Sequence, residues 1–235
     1  MKSSLLTFFI LLTLFKPGFS EVDPCHKSTE GTDFWFGFME NRWSSKPRNP
    51  KNAHYIAITV TAREETDFTV TYGPSEIPVA SGHVNSNSSV EVRPDWNILE
   101  ARGTQSFEDK AIHVVAQKPV NVYAFNYCEN SSDVAVIYPV VSLGNEYYTM
   151  CSDPHVVGNS LYTGNGRNSE FLIVATADDT KIDITPSKII DGTTKIPADI
   201  PYQITLNKGQ MSQAQSENVL HAAGEGDLTG TYIRS

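Results

Sequence analysis

Glu64–Glu65 and Asp178–Asp179 are adjacent carboxylate pairs, each followed by a threonine, Thr66 or Thr180. Paired carboxyls carry general acid–base hydrolysis when they face each other across a cleft, about 5–10 Å apart in glycosidases. Side chains adjacent in sequence on a tight turn diverge instead, and the acidic-acidic-Thr pattern suits turn hydrogen bonding. A calcium-binding turn would need further oxygen ligands at defined spacing, which the flanking residues do not supply. Cys151 and His155 have a C-x3-H spacing and Cys25–His26 are adjacent, but no second ligand pair completes a zinc set. The histidines His26, His54, His83, His113, His155 and His221 are spread singly, and His113 reads as a packed strand residue rather than a base. No G-x-S-x-G elbow, P-loop or H-E-x-x-H occurs. Gly164–Asn168 reads as a connector, because no helix follows to lend its N-terminus to a phosphate. The expected inventory is no catalytic residue, no metal ligand and no cofactor.

Thr32–Phe38 sets four aromatics, Phe34, Trp35, Phe36 and Phe38, in five positions. Such a run suits a sugar-stacking platform, to which Trp43 and Trp96 could add, or the filling of a core. Strand alternation would divide it between two sheet faces, which favours the core. Tyr147–Tyr148 has the same two readings.

The compartment comes from the N-terminus. Met1–Lys2, the apolar run Leu5–Phe15 and the break Lys16–Ser20 form the three parts of a secretory leader, with cleavage expected after Ser20. The run is too short to cross a bilayer, and no 18-residue apolar stretch occurs elsewhere. Removing residues 1–20 leaves 16 basic against 27 acidic residues. That acidity argues against nucleic acid, whose phosphates need clustered Lys and Arg. In an oxidising compartment cysteines are expected to pair. Cys128 and Cys151 each follow a strand-like run, and a bridge between them would stabilise by on the order of 3 kcal/mol. Cys25 would then pair with another chain, with sequence beyond this one, or with nothing. Asn87-Ser88-Ser89 and Asn130-Ser131-Ser132 make Asn87 and Asn130 glycosylation acceptors.

Across 235 residues, 40% hydrophobic and 19% charged, the composition is that of a folded protein with a real core rather than a disordered tail. Period-two alternation predicts strands at 57–61, 68–72, 89–92, 111–115, 120–125, 133–141, 147–150, 171–176 and 181–185. Asn97–Arg102 could form one helical turn. The class is all-β. Residues 58–71 align without gaps on 172–185 at an offset of 114, with Val60/Val174, Thr66/Thr180 and Thr71/Thr185 identical. The same offset sets Val90 and Val92 on Ile204 and Leu206, and an offset of 118 sets Asp109–Gln117 on Asp227–Ser235. The expected organisation is a leader (1–20), an N-terminal segment (21–30), a first β module (31–160) and a second, incomplete one (161–235). Both are expected to be β-sandwich-like, with a propeller-like arrangement as the alternative. The first copy continues past Gln117 into Lys118–Tyr123, whereas its counterpart is Ser235, so the chain is expected to be part of a longer protein.

Gly31–Phe38, Lys118–Asn126, Asp133–Val140, Leu143–Tyr148, Phe171–Thr185 and Asp227–Ile233, in this order, resemble the IgGFc-binding protein N-terminal domain family over residues 31 to 235. The resemblance implies an extracellular, β-rich, non-enzymatic module, in animals often standing at the front of large mucus or matrix proteins. The expected function is therefore secreted binding or scaffolding of an extracellular protein or glycoprotein ligand, in mucus, matrix or host defence. The alternatives are a secreted carbohydrate-active enzyme and a small standalone lectin or opsonin.

Overall fold

The computed structural model describes residues 28–41, 54–128, 131–152, 168–217 and 226–235. Alternating apolar residues draw these segments into strands β1 (Gly31–Phe36), β2 (Tyr55–Ala62), β3 (Thr66–Tyr72), β4 (Ile77–Val84) and β5 (Ser88–Val92). They continue as β6 (Ser106–Glu108), β7 (Ile112–Cys128), β8 (Ser131–Ile137), β9 (Glu146–Tyr148) and β10 (Glu170–Val174). β11 (Thr180–Thr185), β12 (Tyr202–Leu206), β13 (Met211–Gln215) and β14 (Tyr232–Arg234) complete the order. Among the described residues helix is confined to one turn, α1 (Trp96–Leu99), capped by the Asp95 side chain, and a 3-10 turn at Val140–Ser142. The protein is all-β.

β7 organises the first sheet. Ile112, Val114, Ala116, Val120, Val122 and Ala124 face the core at alternate positions, so two stretches read from the sequence as separate strands are one. Lys118-Pro119 does not break it. Pro119 lacks a donor but is exposed, and the Lys118 N–H donates to the buried Thr66 hydroxyl at 3.0 Å. The N-terminal half of β7 is flanked by β1 and β3, the C-terminal half by β2 and β8. β2 and β3 run successively along one length of β7, from Tyr55 opposite Tyr127 to Tyr72 opposite Ile112. The enclosed core holds Phe34, Phe36, Phe38, Ile56, Ile58 and Val60, each worth about 1.5–3 kcal/mol of burial.

Two smaller sheets follow, ordered β10-β13-β6 and β12-β11-β14-β9. Their core holds Phe171, Ile182, Ile184, Ile190, Leu206 and Leu228. β6 and β9 precede residue 160, yet pair with β13 and β14 beyond it. A third cluster, Trp35, Ala101, Ala111 and Met211, with Leu172 and Val174 against it, joins the two halves. Two glycines allow that approach. A Cβ on Gly37 would lie 2.6 Å from the Leu172 side chain, and one on Gly209 (φ +82°) 2.6 Å from the Gly73 backbone.

The internal repeat is not confirmed in the form read from the sequence. An offset of 114 equates β12 with β5, but β5 pairs with β2, whereas β12 pairs with β11, the counterpart of β3. Similar alternation allowed the alignment, and long-range pairing assigned these two strands to different neighbours.

A candidate binding groove between sheet edges

A groove of about 1270 Å³ opens where the first sheet meets the two smaller ones. Its walls are the end of β1 and the residues after it (Trp35–Asn41), β8, the segment from Val140 through β9 to Ser152, and β10. All five β10 residues, Glu170 to Val174, line it in succession. Successive side chains of a strand point to opposite faces, so an unbroken run of lining residues means that the strand presents its edge. Among the described residues β8 pairs with β7 alone, β9 with β14 alone and β10 with β13 alone. Three sheet edges therefore border one groove.

Apolar side chains stand open around it. Val134 is 60% exposed, Tyr148 74% and Met150 93%. Tyr147 is held differently: its hydroxyl donates to the Gly144 carbonyl and accepts from the Gly144 N–H. Tyr148 tilts against Tyr232 of the neighbouring strand, with ring centroids 5.2 Å apart.

Among the described residues, the charged side chains lining the groove, Glu40, Asp133, Glu170 and Asp191, are all acidic. Burial pushes the Glu170 carboxyl up to about 7. A hydrogen bond from Gln215 Nε2 at 2.9 Å opposes the rise, and the carboxylates of Glu40, Glu100 and Asp133 add to it. Glu100 lies behind the groove with no exposed surface. Its carboxylate is compensated by Arg102 Nη2 at 2.6 Å, the Asn41 N–H at 2.7 Å and Asn126 Nδ2 at 3.3 Å. Cys151 also lines the groove. Burial pushes its thiol up, against hydrogen bonds to Thr149 and Ser169, which keeps it a neutral thiol rather than a nucleophilic thiolate.

The paired carboxylates singled out in the sequence are elsewhere. Glu64 and Glu65 are exposed on the β2–β3 turn, where Glu64 meets Lys118 at 3.3 Å and the Glu65 N–H donates to Ser86 Oγ. Asp178 and Asp179 are exposed on the β10–β11 turn, where Asp178 accepts the Lys208 N–H and the Asp179 N–H donates to Asn207 Oδ1. Asp179 occupies the left-handed region at φ 52°. Each pair ties its turn to a neighbouring segment, and neither lines the groove. Phe34, Trp35, Phe36 and Phe38 are all buried, which removes them as a sugar platform. β1 is covered on both faces: Phe34 and Phe36 face the first core, and Trp35 joins the cluster between the halves.

Asn87 is exposed in the β4–β5 turn. Asn130, Cys25, His26, Trp43, His155, His221 and residues 164–167 of the connector lie outside the described residues. Cys128 ends β7, buried, and Cys151 packs on the second core, and no disulfide joins the two in this structure. Non-reducing peptide mapping of the protein decides whether the expected bridge forms. The groove acids had no sequence signature, since Glu40, Asp133, Glu170 and Asp191 are far apart in the chain and meet only through folding.

Residues 133–235 match the family described as IgGFc binding protein, the family that the sequence resembles. No curated protein and no solved structure matches the chain.

Proposed function

We propose that this chain is an extracellular, non-enzymatic binding module that holds a protein or glycoprotein ligand at the groove. The observation that carries the reading is the coincidence of family match and groove. β9 and β10 lie within matched residues 133–235, and so does β8 from Asp133 to Ile137; all three border the groove. Exposed aromatic and methionine side chains beside a concave surface are the usual anchors of a protein interface. The leader of residues 1–20 supports secretion, and the resemblance supports a place at the front of a mucus, matrix or host-defence protein.

The test is a biosensor measurement of the secreted chain against immunoglobulin G Fc. A saturable response is expected, weakened about tenfold or more when Tyr148→Ala and Met150→Asp are combined. A response that these substitutions leave unchanged would move the binding surface away from the groove. No response would remove Fc as the ligand class.

A further inference from the structure

Asn85, Ser86 and Asn87 form the turn between β4 and β5, and residues 85–89 are all exposed. The neighbours of Asn87 fix the place of this turn. Val84 lies opposite Thr66 of β3, Ser88 and Ser89 lie opposite Ala62 and Thr61 of β2, and Ser86 Oγ accepts the Glu65 N–H at 3.0 Å. Two ladders and one side-chain bond thus pin the turn beside the β2–β3 turn. Asn87 contributes its backbone, held in the left-handed region at φ 53°, which asparagine enters more readily than other residues with a side chain. Among the described residues none hydrogen-bonds to its side-chain amide. Neither residues 63–66 nor residues 84–92 line the groove.

From this geometry we infer that Asn87 carries an N-linked oligosaccharide in the native protein. The inference rests on the extracellular reading above, because the sugar is added only to chains that enter the secretory pathway. Ser89 supplies the hydroxyl that the acceptor triplet needs two residues on, and it too is exposed. The donor is a lipid-linked oligosaccharide diphosphate. Asn87 Nδ2 forms a bond to the anomeric carbon of the first sugar as the bond from that carbon to the diphosphate oxygen breaks. The amide gives up one proton, the lipid diphosphate leaves, and no atom changes oxidation state. A bulky hydrophilic group fits a fold only where the amide that bears it fills no core and completes no hydrogen bond. The β4–β5 turn meets both conditions, because its shape is held by Ser86 and by the ladders on either side. The sugar would stand on residues that take no part in the groove, so carbohydrate and ligand occupy different surfaces.

The experiment expresses the full chain, residues 1–20 included, in cultured mammalian cells and examines both medium and cytosol. Protein from the medium is treated with peptide N-glycosidase in heavy-oxygen water, which converts a glycosylated asparagine to labelled aspartate and tells it apart from spontaneous deamidation. Peptide mapping then reads residue 87 separately from Asn130. Label at residue 87 in most molecules is expected. Ser89→Ala, an exposed change that leaves the turn residue in place, should abolish the label, and Ser89→Thr should retain it. Asn87→Gln is the poorer variant, because it also alters a left-handed position and mixes loss of the sugar with strain in the turn. Bare Asn87 in protein from the medium, or label that survives Ser89→Ala, would overturn the inference. The two readings fail distinguishably. Secretion with Asn87 bare sinks the glycan alone, whereas a chain confined to the cytosol sinks the extracellular reading and the glycan with it.

Discussion

The imidazole of His113 stacks on the indole of Trp35, with ring centroids 4.1 Å apart and planes inclined by 13°. The two residues are directly opposite across β1 and β7, and His113 Nε2 lies 3.0 Å from Asp33 Oδ1. Lys208 reaches over the same indole at 5.4 Å and pairs with Glu76 at 3.0 Å. A histidine that alternation set in a strand thus serves to tie β1 to β7 beneath the second half of the chain.

Trp35→Ala removes that stack and opens a cavity beside Met211 and Ala111. The expected cost is about 3–5 kcal/mol, read from chemical unfolding, with Trp35→Phe costing less. A loss under 1 kcal/mol would show that the cluster between the two halves contributes little.

Glu170 makes stability depend on pH. Its folded-state pKa of about 7 exceeds the ordinary 4.5, so below pH 4.5 the group is protonated in both states and costs nothing. Between pH 4.5 and 7 the unfolded chain ionises first and stability falls as pH rises. Above pH 7 the penalty levels off at on the order of 3 kcal/mol. Glu170→Gln should match the parent at pH 4 and exceed it at pH 8 in chemical unfolding. Identical difference curves at the two pH values would rule out a raised carboxyl.

Arg102→Met leaves the fully buried Glu100 carboxylate without its guanidinium partner. The expected destabilisation is about 3–5 kcal/mol, most of it recovered when Glu100→Gln is added. Additive losses in the double variant would contradict coupling through that ion pair.

Gly209→Ala places a methyl group 2.6–2.8 Å from the backbone of Gly73 and Pro74, at a backbone φ of +82°. Both effects oppose folding, and a loss of about 1–3 kcal/mol is expected in thermal unfolding. Gly103→Ala, also at positive φ but with no atom within 4 Å of the new methyl, isolates the backbone contribution.

Two strands mark the limit of what alternation could show. β13, Met-Ser-Gln-Ala-Gln, is buried along almost its whole length although it reads as polar. Gln213 is tolerated there because its Nε2 donates to the Gly103 carbonyl at 2.7 Å and its Oε1 accepts the Glu40 N–H at 2.9 Å. β4, with Pro78 and Gly82, is half exposed at the edge of the first sheet, and a register shift opposite Val70 and Thr71 interrupts its alternation. Both depend on partners distant in sequence.

The sequence by itself determined the all-β class and most of the apolar strands, because side-chain alternation follows from pleat geometry within a few residues. Asn97–Arg102 likewise marked the neighbourhood of α1, and the acidic-acidic-Thr patterns marked turns. Pairing was decided only by the tertiary structure. Alternation says that a strand has an inner face but not which edge it offers to which neighbour. The joining of 111–115 to 120–125, the separate fates of β5 and β12, and the pairing of β6 and β9 with later strands all came from long-range contacts. The groove has the same origin: its acids and the edges of β8, β9 and β10 are adjacent in space because three sheets meet there, a relation that no local spacing encodes.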